Sequence, residues 1–173
     1  WLAKDENSDK LSFSVEIRGE HEVSWILLEA NVRSEFFSWD SSSFPDGWYQ
    51  LRIKASDKLS NPVTRELTTF RLSKPFVIDN QSAKIGKLTG NLENEVISVQ
   101  FHAVDTTTKI ARAQYALDGG DWKSLQPVTA LFDSKDLWFK FSIGPVKPGG
   151  HIVAVRVYDE YGNSVVERII FRS

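Results

Sequence analysis

The sequence repeats itself, and the repeat constrains the fold more than any other feature. At an offset of 100 residues, Trp1, Ala3 and Asp5 meet Phe101, Ala103 and Asp105, and Leu11, Phe13, Val15 and Ile17 meet Ala111, Ala113, Tyr115 and Leu117. Trp25 meets Trp122 across a small gap. At an offset of 102, Phe37 and Trp39 meet Phe139 and Phe141, Gly47 meets Gly149, and Tyr49 meets His151. The same offset pairs Leu51, Ile53 and Ala55 with Val153, Val155 and Val157, and Asp57 and Asn61 with Asp159 and Asn163. Apolar matches arise between any two β-rich segments, but a Gly, an Asp and an Asn at one shared offset mark a duplication. The chain is therefore expected to fold as two similar units. Their junction falls where a Pro and an Asp-Asn pair follow an apolar run in "RLSKPFVIDNQSA", giving domains 1–76 and 77–173.

Within each unit the period is two. "LSFSVEI" alternates Leu11, Phe13, Val15 and Ile17 with Ser12, Ser14 and Glu16, and "WYQLRIKAS" alternates Tyr49, Leu51, Ile53 and Ala55 with Gln50, Arg52 and Lys54. Turn signals such as "DENSDK", "PDG", "DGGD", "KPGG" and "DEYGN" separate these runs. Only "VSWILLEANV" is ambiguous between helix and strand, so essentially no helix is expected. Short strands, frequent turns and one aromatic shared by both copies predict an all-β chain of two tandem antiparallel sandwiches. The second copy carries a candidate strand, "AKIGKLTG", ahead of the position equivalent to Trp1, and the first copy does not. Domain 1 is expected to lack its first strand. The absence of Met beside an abrupt Trp1 adds the expectation that the full polypeptide continues upstream into further domains.

Composition narrows the function classes. Lys and Arg number 21 against 23 Asp and Glu, a net charge of −2, which gives no field to recruit nucleic acid or an acidic membrane. No apolar run is long enough to span a bilayer as a helix, and the start lacks the pattern of a signal peptide. Without Cys there are no disulfides, thiol nucleophiles or thiolate metal sites. His21, His102 and His151 are scattered and match no catalytic motif, so no enzyme activity is expected.

Two motifs carry a family resemblance. "AQYALDGGDW" and "GGHIVAVRVYDEYGN" resemble the strand, Asp-Gly turn and Trp, and the penultimate strand with its Asp-x-x-Gly-Asn turn, of bacterial immunoglobulin-like and fibronectin type III-like modules. "WLAKDENSDKLSFSV" is similar to a run found in cadherin-like and fibronectin-like bacterial repeats. Ser60 stands where the Gly of the turn would be in the first copy, so that turn is expected to differ. The resemblance implies a non-catalytic spacer or interaction module of a larger bacterial secreted or cell-envelope protein, placed outside the cell or in the periplasm. Its partners would be proteins or carbohydrates at the cell surface. Two alternatives are a carbohydrate-binding accessory module of an enzyme and a calcium-rigidified adhesion repeat.

Candidate site residues follow from these readings. Asp5, Asn7 and Asp9 alternate as oxygen ligands of a Ca²⁺ loop do, and Asp79 sits at an acidic junction. The same residue types also build turns without any ion, by accepting backbone N–H bonds. The second copy has Asp105 and three Thr in place of the first cluster, so the cluster is not expected to recur. For partner or ligand contact, strand parity turns Phe36, Trp48 and Trp138 outward, together with Ile152, Ala154 and Tyr158 on the penultimate strand of domain 2. His151 takes the slot of the inward Tyr49 and is expected to be a satisfied core imidazole.

Overall fold

The computed structural model describes residues 1–172. The chain divides into two compact units, Trp1–Ile78 and the residues from Asp79 onward. The first contains β1 (Ser12–Gly19), β2 (Ile26–Val32), β3 (Gly47–Ser56), β4 (Thr68–Leu72) and β5 (Phe76–Ile78). The second contains β6 (Lys84–Glu93), β7 (Val96–Val104), β8 (Ile110–Leu117), β9 (Lys123–Leu125), β10 (Asp136–Ile143), β11 (His151–Asp159) and β12 (Ser164–Phe171). One turn of 3-10 helix at Ser41–Ser43 is the sole helical segment among the described residues. The ambiguous "VSWILLEANV" becomes β2.

The second unit is a two-sheet antiparallel sandwich of the immunoglobulin-like and fibronectin type III-like kind. One sheet runs β10-β7-β6 and the other β12-β11-β8-β9. Alternation decides which side chains meet between them: Ile97, Val99, Phe101 and Ala103 of β7 face Val153, Val155 and Val157 of β11, and all are buried. At the centre the rings of Phe101 and Phe139 stack with centroids 4.7 Å apart, each fully shielded from solvent.

β6 changes parity along its length. A register shift between Gly86 and Thr89 marks a bulge, with Lys87 at φ 51°. Ile85 packs on the core before the bulge, and Leu88 and Leu92 do so after it. Gly90 follows because nothing larger fits: a Cβ there would sit 2.6 Å from the Ser98 carbonyl oxygen and 2.9 Å from the Phe171 ring. Past the bulge, Thr89 and Asn91 share the solvent face with Gln100 and Ser98.

The first unit has one sheet, β2-β1-β3-β4, with β5 also paired to β3. It corresponds to the β12-β11-β8-β9 sheet of the second unit. Sequence alternation predicted a sandwich short of a single strand, and the shortfall is larger. Trp1–Asp5 and Phe37–Trp39, which align with β7 and β10, form no strand. In the second unit β7 is held by β6 on one side and β10 on the other, and among the described residues no strand pairs with Trp1–Asp5. The side chains still cover the sheet. Trp1 packs edge-on to Phe13 at 5.4 Å, and Trp39 and Phe44 close over Tyr49 and Phe76.

The two cores differ in size, so a core cavity in one unit is expected to leave the other intact. Phe139→Ala should destabilise the second unit by about 3–5 kcal/mol. In native-state hydrogen exchange, protection of the β7 and β11 amides would fall and that of the β1 and β3 amides would hold. An equal fall in both sets would mean that the units do not unfold independently.

Candidate functional site

β3 and β11, the central strands of corresponding sheets, are fastened at both ends by equivalent residues. At the start, the Tyr49 hydroxyl donates to the Pro45 carbonyl at 2.8 Å, and His151 Nε2 donates to the Lys147 carbonyl at 2.8 Å. Each bond reaches back four residues, the geometry of a tyrosine corner. His151 Nδ1 meets Asp118 Oδ2 at 2.8 Å, so both ring nitrogens face acceptors, which favours the doubly protonated imidazole. The Lys147 carbonyl and then the Asp118 carboxylate raise its pKa above the ordinary value. Its position fits the buried, satisfied imidazole expected from the sequence.

At the far end sit Asp57 and Asp159. Asp159 Oδ1 accepts from the Tyr161 and Asn163 amides at 2.8 and 2.9 Å, and Oδ2 accepts from Asn163 Nδ2 at 2.8 Å. In the first unit Asp57 Oδ2 accepts from Asn61 Nδ2 at 2.9 Å, and Oδ1 from the Leu67 amide at 2.8 Å. These are side-chain-closed turns. They differ where Ser60 replaces Gly162. Both donate the amide to the Asp carbonyl three residues back, but Gly162 adopts φ 87°, whereas Ser60 accepts the Lys10 amide on its hydroxyl.

Around these turns the fold gathers carboxylates twice: Asp5, Asp9 and Asp57 in the first unit, and Asp79, Asp105 and Asp159 in the second. In each set the oxygens lie within 4.8 Å of one another. The Asp5-Asn7-Asp9 run itself does not recur, but a set of three carboxylates does. Asp5 and Asp57 are the repeat partners of Asp105 and Asp159, and only the third carboxylate comes from a different place in each unit. Asn7 contributes its amide rather than its side chain, donating to Asp5 Oδ1 at 2.8 Å.

Either set offers the oxygens a cation uses, yet both are engaged by donors. Asp105 Oδ1 accepts the Thr107 and Thr108 amides at 2.7 and 2.8 Å, Thr108 Oγ1 donates to Asp79 Oδ2, and Asn61 Nδ2 bridges Asp57 to Asp9. Burial, reinforced by the charges of Asp105 and Asp159, pushes the Asp79 carboxyl above the usual carboxylate range despite the bond from Thr108. A proton on Asp79 relieves the repulsion.

The outward aromatics fall on separate surfaces. Phe36 is exposed in the strandless segment after β2, and Trp48 is half exposed on β3 beside Arg18, Gln50 and Pro75. Ile152 and its cross-strand partner Ile170 lie on the outer face of the four-stranded sheet. On that face Tyr158 is covered by Arg112 at 3.8 Å, and Arg156 lies over Trp122 at 4.1 Å. Arg18 and Arg52 hold Trp25 in the same way in the first unit. The repeat identified the two Trp, but not the Arg that cover them.

Trp138 lies on the outer face of β10-β7-β6, and its ring is 40% exposed. It stacks on His102 with centroids 4.6 Å apart, Lys87 Nζ lies 5.5 Å from its centroid, and Asp136 Oδ1 holds His102 Nε2 at 2.5 Å. One rung further along the strands lies a groove of about 460 Å³ lined by Thr89, Gly90, Asn91, Ser98, Val99, Gln100 and Lys140.

No protein-family profile matches the sequence, and no curated protein matches it. Among solved structures the chain is similar to the chicken CNTN1 FN1-FN3 domains, at 16% identity and a TM-score of 0.43. The match covers 99% of this chain and 59% of that one.

Two measurements probe the turns. His151 has a folded pKa raised above 6.5, so its contribution to stability is complete below pH 6.5 and is lost as pH rises through the raised value. Urea midpoints across that window should fall in the native chain, and His151→Gln should remove this component of the slope. With the clustered carboxylates engaged by N–H and O–H donors, the melting temperature is expected to be the same in excess Ca²⁺ and in EDTA. A rise of several degrees in Ca²⁺ would instead assign the clusters to a cation, since binding to the native state alone raises stability by mass action.

Proposed function

We propose that this chain is a non-catalytic spacer and interaction module of a larger bacterial secreted or cell-envelope protein, working outside the cytoplasm. One observation carries the reading: the groups that could do chemistry are engaged by the fold itself, and apolar contact groups stand free on the outer faces. His151 is bound at both nitrogens, His102 is bound to Asp136, and Asp57, Asp105 and Asp159 close turns. Meanwhile Trp138, Ile152, Val166 and Ile170 stand exposed on the outer faces of the second unit. Outward apolar side chains gathered on a sheet mark contact surfaces.

No helix is long and apolar enough to cross a membrane. The reading assigns no nucleic-acid partner, in keeping with the net charge of −2. A carbohydrate-binding accessory role needs an aromatic platform: Trp48 lines a groove with Arg18, Glu20 and Gln50, and Trp138 stands one rung from the longer groove of Thr89, Asn91, Ser98, Gln100 and Lys140.

Retention on isolated bacterial cell envelopes tests the reading. The native chain is expected to sediment with them, and either Trp138→Ala or the pair Ile152→Glu and Ile170→Glu is expected to release it. Retention that is absent, or that neither face affects, would overturn the reading.

A further inference from the structure

The outer face of β10-β7-β6 is built in three rungs. Cross-strand register places Trp138 opposite His102 and Gly86, Lys140 opposite Gln100 and Thr89, and Ser142 opposite Ser98 and Asn91. The first rung is aromatic. The second and third are hydroxyl, amide and ammonium groups. Among them Ser98 and Ser142 meet each other at 3.3 Å. Gln100, Thr89, Asn91 and Lys140 are exposed and make no side-chain hydrogen bond within the described residues.

From this arrangement we propose that the face binds a linear oligosaccharide laid along β7. One sugar ring stacks its C–H face on the Trp138 indole, and the following rings present their hydroxyls to the Gln100, Lys140 and Thr89 rung and then to the Ser98 and Asn91 rung. Aromatic rings supply apolar area in a fixed orientation, and amides and hydroxyls both donate and accept, as a sugar hydroxyl requires. From His102 to Ser98 the strand advances about 13 Å, enough for a short run of rings.

The ligand class is chosen by what this face lacks. A protein partner would favour the opposite sheet of the same unit, where Ile152, Ile170 and Val166 are exposed together. Here a single exposed aromatic is followed by two rungs of polar groups before the exposed Val96 at the start of β7. The β6 bulge is what makes the row continuous, because it brings Thr89 and Asn91 to the solvent side beside Gln100 and Ser98.

This inference deepens the interaction-module reading and rests on it. The test is titration calorimetry of the whole chain with the β-1,4-linked hexasaccharides of glucose, xylose, mannose and N-acetylglucosamine. At least one is expected to bind. Trp138→Ala should weaken it tenfold or more, Gln100→Ala with Lys140→Ala several-fold, and Trp138→Tyr, which keeps a ring, much less than Trp138→Ala. Trp48→Ala should leave binding unchanged, and circular dichroism of each variant verifies folding. Binding by none of the four at millimolar concentration, or binding undiminished in folded Trp138→Ala, would overturn the proposal. Envelope retention that is lost only with Ile152→Glu and Ile170→Glu would sink the sugar face alone and leave the module reading standing.

Discussion

A strand in water must have its backbone paired, and in each unit one central strand organises that pairing. β3 and β11 each run between two neighbours and carry inward side chains for the core. Both begin at a ring that reaches back to a carbonyl, Tyr49 to Pro45 and His151 to Lys147, and both lead into a turn closed by an Asp. These two fastenings fix where the strand starts and stops, and hence which residues of the flanking strands fall opposite it. Tyrosine and histidine do the same work because each presents a donor at the end of a flat ring.

The duplication made these fastenings legible, since Tyr49 and His151, and Asp57 and Asp159, share one offset. Parity likewise placed Trp138 and Ile152 outside. Three things could not be read that way. The bulge at Lys87–Leu88 reverses parity in β6, and no local signal there announces it. Asp9 and Asp79 are candidates in the sequence, but nothing in the pattern brings Asp9 to Asp57, or Asp79 to Asp105 and Asp159. The strandless layer of the first unit reflects pairing between distant segments, which a residue pattern does not report. Trp39 keeps its half-buried place even though its segment forms no strand.

The two outer faces of the second unit divide their chemistry cleanly. On β12-β11-β8-β9, Arg112 and Arg156 cover the aromatic rings and leave isoleucines as the open contacts. On β10-β7-β6 the Trp138 ring rests on His102 with Lys87 beside it, and the next two rungs are polar. The charges also serve the fold. Lys84 and Lys87 on β6 and Lys140 on β10 lie on edge strands, where cations discourage pairing with another chain.

The side chain of Asn163 closes its own turn and also donates to the Asp79 carbonyl at 3.0 Å. Asp79 is the first residue of the second unit, and its carboxyl accepts from Thr108 as well. Tension applied along the chain at this point would therefore not peel β6 away first. It would be shared at once with the β7–β8 loop through Thr108 and with the β11–β12 turn through Asn163. The turn that looks like a simple strand connector is, in mechanical terms, the place where the unit takes up load.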